Sequence, residues 1–336
     1  MDLAASVQVV LEEVVLKLAH HAKQITGEKY LTLAGGVALN CVANGKILRE
    51  KIFDKIWIQP SAGDAGGALG AAYLVYHQYF NAERKMEGTG RDKQHGSYLG
   101  PGYKSSEIMA FLNRNSYPYE RIQDEDLRSK KLAALISQGQ VVGYFAGRME
   151  FGPRSLGSRS ILGDPRNEEN QSKINLKIKY RESFRPFAPS TLAGCESDYF
   201  DLAEESPYML IVAPVKEERC FRIPQEKQEG EDMIDIINQK RSDIPAVTHV
   251  DYSARVQTVH EADKPDYYRL IKAFKDLTGC GVLINTSFNV RGEPIVCSPK
   301  DAYTCFMRTE MDILVLEDCV LFKKNQPQYE DAGDWR

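Results

Sequence analysis

Several patterns that would settle a function early are missing from this 336-residue sequence. Seven cysteines (Cys41, Cys195, Cys220, Cys280, Cys297, Cys305 and Cys319) are odd in number and none forms a CxxC pair. That argues against a disulfide framework or a cysteine-built zinc site, and for a reducing, cytoplasmic setting. The six histidines include one adjacent pair, His20-His21, but no HxxxH or HExxH, so spacing reveals no histidine metal site. Charge of either sign is not in excess. Lys plus Arg total 43 against 47 Asp plus Glu, a net charge of -4, which counts against a nucleic-acid or polybasic membrane binder and leaves room for a local basic pocket. No apolar run approaches the roughly 18 residues of a membrane span. The N-terminal stretch carries acids inside its apolar segment and no basic flank, so it does not read as a signal peptide. Internal repeats and low-complexity tracts are also missing.

What is present is ordinary globular composition, 43% hydrophobic, at a length that suits two domains. Leu3, Val7, Val10, Leu11, Val14 and Leu18 share one face of a helix over 3–26, closed by Thr26-Gly27. The spacing then predicts a strand over 30–34, a helix over 38–49, a strand over 53–58 and, after the turn 61–67, a helix to about 80. This α/β unit has only two strands and is small for an independent core. The polar, Gly-rich stretch 81–103 supplies a linker, drawn at 86–103 between a first lobe (1–85) and a second unit (104–325), with a short tail at 326–336. The second unit reads as α+β. Helices are expected at 124–138, 167–179, 264–278 and 299–309, strands at 140–145, 210–213 and 281–285, and a terminal hairpin from 313–316 and 319–322. The charged stretch 216–246 reads as an exposed excursion.

Chemistry concentrates in a few places. Residues 147–166 (GRMEFGPRSLGSRSILGDPR) set Arg148, Arg154, Arg159 and Arg166 among glycines and prolines. Gly permits close backbone approach and Arg offers a forked donor, which suits an anion pocket; a surface loop with salt bridges is the alternative. Residues 177–189 bring Lys179, Arg181 and Arg185 between Ile178, Tyr180 and Phe184, as on a strand with one wet face, either merely solvated or part of a site. Arg255 lies among small and apolar neighbours. Asn285, Thr286, Ser287 and Asn289 put hydrogen-bonding side chains at a strand end, for a ligand or for a turn. Gly35 and Gly36 follow a strand and lead through Asn40 into a helix, a place where a nucleotide could lie against backbone. Asp64 occupies another strand-to-helix turn, as an N-cap or as a metal or phosphate contact.

In combination, AGGVALN (34–40), PSAGDAGGALGAA (60–72), the 147–166 segment, KYRESFRPFAPS (179–190), HVDYSARVQTV (249–259) and LINTSFNVRGEPIVCSP (283–299) resemble the NodU/CmcH/TobZ-type O-carbamoyltransferases, in the same order across nearly the whole chain. The resemblance implies a partial ASKHA (RNase H-like) lobe followed by a YrdC-like α+β domain. It implies that the YrdC-like part forms carbamoyl-adenylate from carbamoyl phosphate and ATP, with Mg, for transfer to a hydroxyl-bearing small molecule. Carried over by position, Arg154, Lys179 and Arg185 match the basic residues for carbamoyl phosphate and nucleotide phosphates, with Arg255 and Ser287 as further ligand positions. Gly35, Gly36 and Asn40 match the nucleotide turn, and Asp64 the aspartate that helps hold iron or another divalent metal. The family's HxxxH pair has no counterpart, because His20 and His21 point about 100° apart on a helix. The transfer site is therefore expected to be incomplete, as in a truncation, a fragment or one half of a split enzyme. The expected partner is a complementary ASKHA half or a second copy covering the apolar side of helix 3–26. A non-catalytic partner subunit is the alternative from another class. An RNA-binding module is a third reading, against which the net charge counts.

Overall fold

The computed structural model describes residues 2–85, 92–183, 185–222, 237 and 239–328. Phe184, the remainder of the 216–246 stretch, part of the linker and most of the tail lie outside the described residues. No helix among the described residues is long and apolar enough to cross a membrane.

The first lobe begins with α1 (Asp2–Thr26), followed by β1 (Tyr30–Leu33), α2 (Cys41–Arg49), β2 (Lys55–Ile58) and α3 (Gly66–Leu74). Strands β1 and β2 pair in parallel, with Leu31 opposite Ile56. Such a pair needs a crossover, which α2 supplies. Its private core is small: Ala19, Ile47 and Phe53. Helix α1 joins that core through Val15, Leu16, Ala19 and Ala22 and is also held by polar contacts. Buried Glu12 pairs with Lys46 and accepts from Gln8 Nε2 at 2.7 Å, while Gln8 and Asn40 exchange amide hydrogen bonds. Burial opposes ionisation of Glu12, but Lys46 and Gln8 together hold its pKa below the usual value. The stripe Leu3, Val7, Val10, Val14 and Leu18 faces solvent, with Leu3 85% exposed. Helix α3 buries none of its residues, and Tyr76, Tyr79 and Phe80 in the π-helical turn after it are exposed too.

The second unit is built on one mixed sheet. Its strands are β3 (Glu120–Arg121), β4 (Val142–Phe145), β5 (Arg159–Gly163), β6 (Ala188–Leu192), β7 (Ile211–Pro214), β8 (Ser253–Val259), β9 (Val282–Ser287), β10 (Ile313–Leu316) and β11 (Cys319–Phe322). They run in the order β3-β11-β10-β4-β5-β9-β6-β8-β7. Strands β4, β5, β6 and β10 are buried along their whole length; β4, β6 and β10 accordingly read as continuous apolar or small-residue runs and not as alternating ones, while β5 opens on Arg159. The helices are α4 (Ser105–Arg114), α5 (Glu125–Ser137), α6 (Glu168–Lys177), α7 (Pro265–Thr278) and α8 (Pro299–Arg308). Their ends follow local chemistry. Asp124 caps α5 through Asp126 and Leu127 N–H groups, Ser298 and Asp301 form a reciprocal cap on α8, and α7 ends at Gly279 with φ of 75°. Helices α5 and α7 pack on each other and over β5, β6 and β9; α4 and α8 cover β11, β10 and β4.

The free edge of β7 is closed by the first lobe. Asn44 Nδ2 donates to the Leu210 carbonyl at 3.0 Å and Arg49 Nη1 to the Val212 carbonyl at 3.0 Å. Gly45 lies so close that a Cβ there would stand 2.1 Å from the Val212 oxygen. Ala38, Cys41, Ile58 and Ala62 of the first lobe thereby join the main core. Asp92 adds a second tie, accepting from Trp57 Nε1 at 3.0 Å and from the Tyr208 hydroxyl at 2.7 Å.

Two expectations fail here. Residues 177–189 are not a wet-faced strand: α6 ends at Lys177, Lys179 is buried, Tyr180 takes φ of 48°, and β6 starts only at Ala188. Hydrogen bonds from Asn175 Nδ2 to the Ser183 and Arg185 carbonyls, each 2.8 Å, fold this segment back on α6 instead. The excursion at 216–246 is exposed only in part, because Arg241, Ser242 and Ile244–Val247 are buried against the sheet.

Gly45→Ala should push α2 off β7 and lower unfolding free energy by about 1–3 kcal/mol, the usual cost of overpacking. Gly67→Ala, where no atom lies within 4 Å of the added carbon, should be neutral or slightly stabilising. Urea unfolding of the two variants side by side checks the contrast.

Candidate functional site

The site grows from the loop between β4 and β5. Glu150 is buried, and its Oε1 accepts backbone N–H groups from Leu156 (2.7 Å), Ser158 (2.7 Å) and Arg159 (3.3 Å). Gly152 (φ 145°) and Gly157 (φ 103°) let the chain turn tightly around that carboxylate. A Cβ at Gly157 would fall 2.2 Å from the Tyr267 ring, so only glycine fits.

The arginines of this segment part company. Arg159 is fully buried in β5. It donates to the carbonyls of Gly147, Ser158 and Pro101 and lies 3.5 Å from the centroid of the Phe145 ring. Burial lowers its pKa, with Glu150 and Glu317 opposing the shift. Arg148 is exposed and donates to the Leu99 and Gly100 carbonyls, and Arg166 is paired with Asp164 at 2.6 Å. These three are occupied within the fold. Arg154 is different. Its Nη2 reaches across to the first lobe, 3.5 Å from the Leu39 carbonyl and 3.6 Å from the Cys41 sulfur, and its buried Nε has no partner.

Arg255, on β8, approaches the same Cys41 thiol. Burial pushes its pKa down to about 10, and the Arg154 charge adds to the shift. Arg181 contributes as well, and Arg185 in turn depresses Arg181. Among the described residues, neither Arg154 nor Arg255 forms a salt bridge to a carboxylate. Two charged guanidinium groups, drawn together and partly desolvated without a counter-charge, are a strong electrostatic invitation to an anion.

Lys179 is linked to this group through Arg181, whose charge acts on both Lys179 and Arg255. Its ammonium donates to the Ser287 carbonyl, to Ser287 Oγ (3.1 Å), to the Asn289 carbonyl (3.0 Å) and to Asn289 Oδ1 (2.8 Å). Burial pushes its pKa down to about 7. Lys179, Ser287 and Asn289, 110 residues apart at the extremes, are thus one constellation. Thr286 is half-buried in β9 opposite Ile161. Asn285 is buried beneath the 154–158 loop, donating to the Ser155 carbonyl (3.2 Å), Ser190 Oγ (3.1 Å) and Gln257 Oε1 (2.8 Å). Arg185 is exposed and sits 3.0 Å from Glu182.

In the first lobe, Gly35 (φ 99°) and Gly36 form an open turn with nothing within 4 Å of either added Cβ. Asn40 caps α2, accepting from the Ala43 N–H at 3.0 Å. Asp64 is exposed and does not cap α3 through its side chain. Among the described residues, no group of three or more His, Cys, Asp or Glu side chains could hold a metal ion. The donor set of the described residues therefore does not fit the iron or other divalent metal that the resemblance implies.

Against this geometry the comparisons with known proteins are decisive about kinship. The family described as carbamoyltransferase C-terminus matches residues 133–323, and that described as carbamoyltransferase N-terminus matches residues 1–73. The chain belongs to the carbamoyltransferase family. It is 58% identical over its whole length to the Synechocystis protein sll1178, covering 54% of that protein. It is 41% identical to the nodulation protein NolNO of Sinorhizobium fredii, with 98% of this chain and 45% of that protein aligned. The chain thus spans about half the length of the curated relatives it matches. Among solved structures, full-length HypF in a phosphate- and nucleotide-bound form overlaps at a TM-score of 0.35 with 15% identity, covering 62% of this chain and 22% of HypF. That likeness is too slight to build on.

Three contributors to this candidate site were not singled out from sequence, Glu150, Cys41 and Gln257, and Arg181 was named only as one of a basic run. Glu150 and Arg181 lie inside the motifs, but one acts through backbone groups and the other through the charges it crowds. Cys41 gains meaning only because α2 docks on the second unit.

Lys179 makes a pH-dependent contribution whose sign is fixed by its lowered pKa. Between about pH 7 and the ordinary lysine value of 10.5, the unfolded chain holds a proton that the folded chain releases. Stability therefore rises with pH across this window, the contribution being complete above 10.5 and lost as pH falls to about 7. Lys179→Met should remove one proton's worth of slope. Unfolding free energies of both proteins across that range read it, and parallel pH curves would contradict it.

Proposed function

We propose that this chain carries the activating part of an O-carbamoyltransferase: water cleaves carbamoyl phosphate to carbamate and phosphate, and the carbamate oxygen then attacks the α-phosphorus of ATP, forming carbamoyl-adenylate and expelling pyrophosphate. The observation that carries this reading is the cluster of Lys179, Ser287 and Asn289 joined, through the charge of Arg181, to Arg154 and Arg255, neither of which pairs with a carboxylate among the described residues. Chemistry at phosphoryl groups asks the protein mainly to position the reactants and to neutralise developing charge. A half-buried arginine pair, an ammonium and short hydroxyl and amide groups suit that task. Arg154, Lys179 and Arg185 are assigned to the reacting phosphates and the carbamoyl group. Arg255, Thr286, Ser287 and Asn289 are assigned to ligand binding, with the open turn at Gly35 and Gly36 available to a nucleotide. The second unit is read as YrdC-like and the first lobe as part of an ASKHA fold. The carbamoyl acceptor is read as a small molecule bearing a hydroxyl, and Mg as the companion of ATP.

A second reading concerns what the chain lacks for transfer. The solvent-facing apolar stripe of α1 and the wholly unburied α3 favour a complementary ASKHA half over these faces. Transfer would then need both parts, because the carbamoyl carbonyl and the acceptor hydroxyl must be held at reacting distance.

Isotope exchange between pyrophosphate and ATP should depend on carbamoyl phosphate; no exchange under any condition would remove the adenylation reading. Arg154→Ala should weaken carbamoyl phosphate or ATP binding by about 2–3 kcal/mol, the worth of a charged hydrogen bond, with unfolding unchanged. Calorimetry reads the first and thermal melting the second. The isolated chain should fail to carbamoylate an acceptor until an HxxxH-containing half is added, and light scattering should show self-association without it. Full transfer by an isolated monomer would refute the second reading.

A further inference from the structure

Beneath the loop that presents Arg154 lies a polar layer in the middle of the sheet. Ser190 on β6, Gln257 on β8 and Asn285 on β9 are all buried to 1% exposure or less. Ser190 Oγ donates to Gln257 Oε1 at 2.6 Å, and Asn285 Nδ2 donates to the same oxygen at 2.8 Å. Three polar side chains in the centre of a sheet are costly unless their hydrogen bonds are spent on something. Here they are directed upward. Gln257 Nε2 donates to the Leu156 carbonyl at 2.9 Å, and Asn285 Nδ2 to the Ser155 carbonyl at 3.2 Å. The Tyr98 hydroxyl gives the Leu156 carbonyl a second donor at 2.8 Å.

Glu150 holds the same loop from the opposite side, through the N–H groups of Leu156, Ser158 and Arg159. The N–H of Gly157 is taken by Ser160 Oγ at 3.0 Å. Every backbone polar group just described belongs to 155–159, directly after Arg154. Among the described residues, the Arg154 guanidinium itself is tied only by long contacts to Leu39 and Cys41, so its aim is set by the loop and not by its own partners. The ordinary alternative, that the layer merely satisfies itself inside the core, leaves unexplained why its donors end on two consecutive loop carbonyls.

We infer that Gln257 and Asn285 are positioning residues that fix the Ser155–Leu156 backbone and so aim Arg154 at an anionic ligand. The inference rests on the reading of Arg154 as a contact to carbamoyl phosphate. It differs from a direct ligand role for Asn285, whose donor is consumed inside the fold.

The test is a double-mutant cycle read by calorimetry with carbamoyl phosphate on the full chain. Gln257→Met keeps the side-chain length and removes both the donor and the acceptor. It should weaken binding about 10-fold in the otherwise unchanged protein and less than 2-fold when Arg154→Ala is already present. Tyr98→Phe, which removes only the second donor to Leu156, should show the same non-additivity on a smaller scale and serves if Gln257→Met does not fold. An equal loss with and without Arg154, or no loss at all, would overturn the inference while leaving the functional reading intact. Failure of the unsubstituted chain to bind carbamoyl phosphate would overturn both.

Discussion

A sheet edge cannot be left with unpaired carbonyls facing an apolar neighbour, and here the edge strand is β7. Helix α2 answers this by presenting Asn44 and Arg49 as donors and Gly45 as a gap through which the two backbones meet. That contact places the start of α2 over the ends of β8 and the 154–158 loop. Cys41 and Leu39 come within reach of Arg154 and Arg255 only because of it. The cations all belong to the second unit, and the first lobe borders them with the Leu39 carbonyl and the Cys41 thiol.

Within the second unit, charge is managed in two ways. Arg159 is buried with its terminal nitrogens on three carbonyls and its plane on an aromatic face, only its Nε lacking a partner among the described residues, and Arg166 is answered by Asp164. Arg154 and Arg255 receive no such answer. The same local composition thus yields both scaffold and candidate ligand contacts, and the division is made by backbone carbonyls that only the fold brings near. Lys179 stands between the two cases. It has four acceptors, yet its burial is deep enough to loosen its proton.

Periodic segments were legible in the sequence. Helices α1, α5, α7 and α8, and the antiparallel hairpin of β10 and β11, lie where apolar spacing and end signals place them. Strands β5 and β8 were not, because each carries an arginine in a strand that gives no alternation: Arg159 on a fully buried strand and Arg255 on one buried on both sides. The basic chemistry of 147–190 was legible as composition. Its allocation was not, since whether an arginine serves as a strut or a ligand contact depends on carbonyls contributed by residues such as Pro101 and Leu99 far earlier in the chain. The uncovered face of α1 was legible through the family resemblance, but its polar anchoring by Glu12, Lys46 and Gln8 was not.

The sheet order has a consequence for how this chain is made. Strand β4 lies between β10 and β5, and the Val141 N–H is held by Asp312 across a separation of 171 residues. Strand β9, which carries Ser287 into the site, likewise pairs with β5 across a long interval. Contacts of such sequence separation are slow to form, because loop closure must precede any gain from them. During synthesis the middle of the sheet must wait, one edge open, until the terminal hairpin has left the ribosome. Until that hairpin arrives, β4 keeps an edge open to misassociation.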